Sequence, residues 1–242
     1  MIDIHSHILP GIDDGAVNMD DTLQLCQYAV ENGITHMLAT PHIHPGRYEN
    51  EKKSIELMTK KVINELKNNQ IALKLSYAAE VRISIEVLSM VSEGKIPFIG
   101  YQNGFHYLLL EMPHSHILPG SDKLIEWLQE HQIKVIIAHP ERNKEVQNNI
   151  NVLNPFIQQG CLLQLTAASV SGRFGSKCQS VCKKLIKNKW VNFVATDAHN
   201  IKNRPPDLLQ ARNVIIDWAG ENTADALLCN NQKQLTAIHF EV

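Results

Sequence analysis

The chain begins Met-Ile-Asp-Ile-His-Ser-His. In an extended strand alternate side chains share a face, so Asp3, His5 and His7 are expected together, with Ile2 and Ile4 opposite. Imidazole and carboxylate without thiolate form a borderline-to-hard donor set for a divalent metal. The same residue types close other apolar runs. Leu-Ala-Thr-Pro leads into His42, Tyr-Ala-Ala into Glu80 and Leu-Leu-Leu into Glu111. Val-Ile-Ile-Ala leads into His139, and Phe-Val-Ala-Thr into Asp197, with His199 two residues on. One histidine at a strand end is more often a cap or core residue, and one glutamate there a solvated loop acid. Six strand ends of seven all supplying ligand types is a different matter, and the joint pattern predicts a metal site.

Other residues belong to the same argument. Asp13-Asp14-Gly15 follows the first run closely enough to fold back over it, and local chemistry leaves it between a plain Asx turn and a ligand loop. Arg142 follows His139 in His-Pro-Glu-Arg, where Pro140 takes the chain out of the strand. An arginine beside metal ligands suits an anionic substrate, since its planar fork matches phosphate bidentately. Arg204 and Arg173, in Pro- or Gly-marked loops, are weaker candidates for that task. His36, His44, His106, His114, His116, His131 and His239 are read as ordinary structural histidines, His44 and His116 being the doubtful ones. His-Ser-His-Ile-Leu-Pro-Gly occurs at 5–11 and again at 114–120, and the second copy, with unmatched flanks, is read as a decoy.

Several chemistries are excluded. No cysteine is followed six positions later by arginine, and there is no Asp-x-Asp, Gly-x-Ser-x-Gly or Walker loop. The nucleophile this leaves is a metal-activated water.

Seven strand-like runs (1–7, 34–40, 73–80, 107–111, 133–138, 161–166 and 191–196) alternate with helix-like segments. The clearest helices are 20–32, with Leu23, Cys26, Ala29 and Val30 on one face, 49–69, with Ile55, Met58, Val62 and Leu66, and 121–131. Such alternation predicts an α/β fold with a parallel sheet and right-handed crossovers. Seven units without a Gly/Ser/Pro-rich linker predict one barrel domain over residues 1–242. In a β/α barrel the C-terminal strand ends meet at one mouth, which would gather ligands scattered over the chain. The 242 residues carry a net charge of −2, so no basic excess exists for a nucleic-acid backbone or an anionic membrane. No run is apolar enough to insert in a bilayer, the N-terminus lacks signal-peptide features, and the five dispersed cysteines read as reduced thiols. A cytoplasmic protein is expected.

His5-Ser-His7, the His42, Glu80 and Glu111 ends, His139-Pro-Glu-Arg142 and Asp197-Ala-His199 together resemble the polymerase-and-histidinol-phosphatase (PHP) superfamily. Residues 3–15, 168–175 (Ala-Ser-Val-Ser-Gly-Arg-Phe-Gly), 195–200 and Arg204-Pro-Pro are similar, more narrowly, to its bacterial protein-tyrosine phosphatases of capsule and exopolysaccharide loci, the CpsB/CapC type. The likeness runs from residue 1 to about 206. It implies a distorted, TIM-like (β/α)7 barrel with three divalent metal ions, Mn²⁺ preferred and Fe, Co or Zn as substitutes. By position, His5, His7, Glu80 and Asp197 would hold one ion, Glu80, Glu111 and His139 a second, and Asp14, His42 and His199 the third. Arg142, with Arg204, would take the phosphoryl oxygens. The implied substrate is a tyrosine-phosphorylated bacterial tyrosine kinase that controls polysaccharide production, hydrolysed by a metal-bridging hydroxide. A PHP-type phosphoesterase acting on histidinol phosphate, another small molecule or nucleic acid is the alternative within the same chemistry. A module kept only to bind a kinase tail is the alternative outside it.

Overall fold

The computed structural model describes residues 1–240; positions 241 and 242 of the expected domain lie outside them. Ten strands occur among the described residues: β1 (Ile2–Asp3), β2 (His36–Ala39), β3 (His42–Ile43), β4 (Lys74–Tyr77), β5 (Glu80–Arg82), β6 (Gly100–Gln102), β7 (Phe105–Glu111), β8 (Ile133–Ala138), β9 (Leu162–Thr166) and β10 (Phe193–Ala195). They form two hydrogen-bonded paths, β1-β2-β4 and β10-β9-β8-β7-β5-β3, and every pairing on these paths is parallel. β2 runs on into β3, and β4 into β5, across short breaks at Thr40-Pro41 and Ala78-Ala79. Pro41 has no N–H to give the ladder, which accounts for the first break. The ring closes where the chain beyond β1 meets the chain beyond β10. Asp197 N–H donates to His5 O and His7 N–H to Ala198 O, both at 2.8 Å. The result is an α/β barrel of seven parallel strand positions, as the sequence predicts. Expected strand ends at His42 and Glu80 are corrected in detail: these residues begin β3 and β5.

β6 is not anticipated by the seven-strand reading. It pairs antiparallel with β7 through Asn103-Gly104, both at positive φ, the two-residue turn that Asn-Gly favours.

Strand alternation sorts the core. In β7, Leu108 and Leu110 pack in the larger apolar cluster with helix residues such as Leu25, Ile55, Val62 and Ile125. Tyr107 and Leu109 join a smaller cluster drawn from strands around the ring, including Ile4, Leu38, Ile136, Phe193 and Ala195. That second cluster is the barrel interior. Glu111 continues the phase of Tyr107 and Leu109 and so arrives at the mouth facing inward.

The three expected helices form, but Leu23, Val30 and Met58 of their expected faces are only partly buried, and Leu25 is buried instead. Met19–Glu31 starts at Asn18, whose side chain accepts from Asp21 N–H, with Asp20 and Asp21 in the first turn. It buries Leu25, Cys26 and Ala29. Lys52–Asn68 buries Ile55, Thr59, Val62 and Leu66, and Ser121–Glu130 buries Ile125 and Leu128. Leu209–Ala219 and the short helices up to Leu235 lie beyond the reach of the sequence motifs, and Leu235 plugs the interior cluster. No helix among the described residues is long and apolar enough to cross a membrane. All five cysteines are free thiols.

Candidate metal centre

The barrel mouth holds a cavity of about 170 Å³ whose every lining residue is His, Asp, Glu or Arg. His5 and His7 come from the extension of β1, Asp14 from the loop after it and His42 from the start of β3. Glu80 starts β5, Glu111 ends β7, and His139, Asp197 and His199 follow β8 and β10. All nine sequence-predicted ligand residues fall into four close groups: His7/Asp14/His42/His199, His5/His7/Glu80, His5/His139/Asp197 and His42/Glu80/Glu111. Within each group the potential ligand atoms lie within 4.8 Å of one another. Eight of these residues are at most 12% exposed in their side chains, Asp14 being the open one at 41%.

Hydrogen bonding behind the imidazoles decides what they present to the centre. His5 Nδ1–H donates to Gln164 Oε1 (2.9 Å), whose amide is fixed by its own bond to Leu165 O. His7 Nδ1–H donates to Asp13 Oδ2 (2.7 Å) and His199 Nδ1–H to the Asp197 carbonyl (2.9 Å). Each neutral ring therefore turns a bare Nε2 lone pair inward. The His5 and His7 Nε2 atoms face one another at 3.2 Å, and Glu80 Oε2 sits 3.3 and 3.2 Å from them. Lone pairs so close repel unless a proton or a metal cation stands among them. Glu80 Oε2, His42 Nδ1 and His199 Nε2 are buried with no hydrogen-bond partner among the described residues. Buried polar atoms are normally paired, so this concentration of open donors fits a metal cluster.

The electrostatics agree. Burial opposes charge on Glu80, yet His5, His42 and His139 hold its carboxyl well below the usual range. Burial likewise opposes charge on Asp197, and Arg204, His5 and Arg142 outweigh it. Glu111 is pushed up to about 7, first by burial and then by the Glu80 charge, with Arg82 acting against both. Burial takes His139 down to about 3, Arg142 adding to it, and His42 to about 4. Burial also disfavours charge on His7, but Asp13 overrides it, so without an ion the pocket favours a proton on this ring, positive charge of the sign a bound cation would supply.

The Asp13-Asp14-Gly15 loop combines both of its sequence readings. Asp13 makes an Asx turn through Gly15 N–H (2.9 Å) while its other oxygen orients His7. Asp14 Oδ1 lies 3.4 Å from His42 Nε2 and 3.5 Å from His199 Nε2. The loop presses on His7 so closely that a Cβ at Gly15 would stand 1.9 Å from the His7 carbonyl oxygen. His139 and Asp197 have left-handed backbones at φ 34° and 54°, costly for residues with a Cβ and a frequent mark of a functional site.

Arg142 and Arg204 both donate to Asp197 Oδ2 and both line the cavity. Arg173 does not reach it: its guanidinium pairs with Asp207 and Gln210 at the surface, both at 3.3 Å, so that candidate is corrected. Of the second His-Ser-His, His116 is exposed and bonded to Ser115, whereas His114 lines the cavity, contacts Arg142 Nη2 at 3.1 Å and stacks on His139. The doubtful member of that pair is thus His114 and not His116. Sequence reasoning missed Arg82, which faces Glu111 across the β5–β7 register at 3.1 Å, and Arg47, also on the cavity wall. It also missed Gln164 of β9, the strand whose end offers no ligand type; Leu162 packs against the interior cluster, and period-2 counting from it puts Gln164 in the same phase.

Fold and site together define a parallel β/α-barrel protein with a histidine- and carboxylate-built metal-binding mouth. The chain belongs to the capsular polysaccharide synthesis family CpsB/CapC, whose model matches residues 1–237. It is 34% identical over 204 residues to the tyrosine-protein phosphatase YwqE of Bacillus subtilis, covering 84% of this chain and 79% of that one. It is 27% identical over 247 residues to the tyrosine-protein phosphatase CpsB of Streptococcus pneumoniae, covering 97% and 98%. A crystal structure from work on YwqE and CpsB, described as metal-dependent tyrosine phosphatases, superposes with a TM-score of 0.91 at 32% identity, covering 98% of this chain and 94% of that one.

Proposed function

We propose that this chain is a metal-dependent protein-tyrosine phosphatase of capsule synthesis. Its substrate is the phosphotyrosine of a bacterial tyrosine kinase that governs capsular and exopolysaccharide production. It acts in the cytoplasm as one barrel domain with three divalent ions, manganese foremost. The observation that carries the reading is the cluster of inward-facing ligand atoms, of which Glu80 Oε2, His42 Nδ1 and His199 Nε2 have no hydrogen-bond partner among the described residues, in a cavity also lined by four arginines.

His5, His7, Glu80 and Asp197 would hold one ion, Glu80, Glu111 and His139 a second, and Asp14, His42 and His199 the third. Bound ions supply Lewis-acid charge and bring the pKa of a water towards ~7, making a nucleophile at neutral pH. The chain's own residues do the rest. Asp13, Gln164 and the Asp197 carbonyl fix three imidazoles in the tautomer that ligates. Arg142 and Arg204, gathered by Asp197 on the cavity wall, would donate to the phosphoryl oxygens and take up their charge. A phenolate leaves readily, so the site has little need of a strong general acid.

The test is turnover of a phosphotyrosine peptide by the purified chain, with metal content measured in parallel. Chelation should abolish turnover and Mn²⁺ should restore it. Full activity in a rigorously metal-free sample would overturn the reading.

A further inference from the structure

The cavity at the barrel mouth has no wall of apolar residues, since every residue around it is ionisable. It suits a phosphoryl group and its counter-cations, and it holds no apolar side chain for an aromatic ring to pack against. A second cavity of about 300 Å³ adjoins it, and the two share His114, Arg142 and Arg204. The remaining lining of the second cavity is Phe174 and Cys178. The two guanidiniums therefore stand at a junction, with a charged chamber on one side and the face of Phe174 on the other.

We infer that this second cavity is the subsite for the aryl group of the substrate, and that Phe174 is a specificity-determining residue within it. The inference rests on the phosphatase reading above and assigns the part of the substrate that the metal-binding mouth leaves unaccounted for. In-line displacement puts the leaving ester oxygen opposite the attacking one, and the cavity that adjoins the mouth at Arg142 and Arg204 offers space for the group that oxygen carries. Phe174 is half-buried, so its ring remains available to a ligand. Arg142 lies 5.3 Å from the centroid of that ring, which ties the platform to the phosphate-binding group. Phe174 sits between Gly172 and Gly175, at φ 87° and 90°, a turn that swings the side chain out ahead of the helix Ser176–Lys187. Residues 168–175, which the metal ligands and the arginines do not explain, acquire a purpose: they carry the ring to the edge of the mouth. An aromatic pair selects an aryl over an alkyl phosphate by a modest factor, as ring stacking contributes beyond mere burial.

The experiment compares kcat/KM on phenyl phosphate and a phosphotyrosine peptide with that on methyl phosphate and a phosphoserine peptide, for the metal-loaded wild type, Phe174→Ala, Phe174→Leu and Phe174→Tyr. Phe174→Ala should lower the aryl-to-alkyl ratio about three- to tenfold, mainly through KM. Phe174→Leu should recover part of the ratio and Phe174→Tyr nearly all of it. Inhibition by inorganic phosphate should stay within about twofold of wild type, because phosphate does not use the ring. Equal losses on aryl and alkyl substrates, or a parallel loss of phosphate inhibition, would show that Phe174 only props Arg142 and would overturn the inference. Failure of the wild type to hydrolyse phosphotyrosine at all would instead strike the phosphatase reading itself, which keeps the two apart.

Discussion

Arg142→Ala separates phosphate recognition from metal holding. The Arg142 side chain is 18% exposed and donates to Asp197 Oδ2, an oxygen it shares with Arg204. It is not among the grouped ligand residues, so metal content should equal that of the wild type. Losing one preorganised donor to a transferring phosphoryl group costs about 3–4 kcal/mol, or about 10²–10³-fold in rate. There is a second, separable effect. Removing one partner of a buried ion pair costs about 3–5 kcal/mol when the remaining charge is stranded. Here Arg204 still holds the same oxygen, and a metal at the carboxylate supplies further compensation. The thermal penalty of Arg142→Ala should therefore be small in the metal-loaded protein and larger after chelation. Lysine should rescue only partly, because a point charge does not reproduce the two-pronged fork. The assay combines kcat/KM on a phosphotyrosine peptide, inhibition by free phosphate, bound metal per chain, and melting with and without chelator. Near-normal kinetics with unchanged phosphate inhibition would make Arg142 a structural partner of Asp197 and refute its role towards the substrate.

Three other predictions test the site and its frame. Glu80→Ala should lose at least one metal per chain together with activity, since its Oε2 stands between His5, His7 and His42; His116→Ala, exposed and bonded only to Ser115, should keep both, and metal analysis giving the opposite order would overturn the assignment of the two His-Ser-His segments. Gly15→Ala should lower metal occupancy while preserving the far-ultraviolet spectrum, because the new Cβ displaces the loop that carries Asp13 and Asp14 away from His7; normal occupancy would show that the loop yields without cost. His239 donates from Nε2 to Phe98 O and accepts at Nδ1 from Ser76, an arrangement satisfied by the neutral ring, and burial sets its pKa below the ordinary 6.5. On acidification below 6.5 the unfolded chain takes up this proton before the folded one, so stability should fall with pH in that window, and His239→Gln should flatten the slope measured by urea unfolding.

Much of the candidate site was legible because barrel geometry converts a one-dimensional pattern into a place. Glu111 ends a run whose alternate residues, Tyr107 and Leu109, already face the interior, so that strand-end acid had to arrive at the mouth. The groups that orient those ligands were less legible. Asp13 looks like any turn residue, and its bond to His7 depends on a chain reversal that requires Gly15 to touch the His7 carbonyl. Gln164 carries no metal-ligand signature, and its value lies in an amide aimed at His5 across the barrel, 159 residues away. His114 and His116 share their local sequence with His5 and His7, so only tertiary position tells that His114 meets Arg142 while His116 faces solvent. The β6 hairpin was missed for a different reason: its Asn-Gly turn is a strong local signal, but its strand is three residues long and adds no unit to the ring.

His139 shows where a correct expectation rested on incomplete physics. Along β8, Val135 and Ile137 pack outward under the helices, whereas Ile136 and Ala138 face the interior. A strand continued regularly would send residue 139 outward with Val135 and Ile137, away from the mouth. The left-handed backbone at φ 34° breaks that phase, and the ring turns in to bond Glu80 Oε1 at 2.7 Å and to stack on His5. Such a conformation costs about 1–2 kcal/mol in a residue with a Cβ. Two features hold it there. Pro140 begins a short 3-10 turn immediately after it, and His139 N–H still reaches Gln164 O at 2.8 Å, so the ladder survives the twist. Gln164 thus serves two candidate ligands at once, its backbone anchoring His139 and its side chain His5, and the one strand end without a ligand of its own becomes the brace for its neighbours.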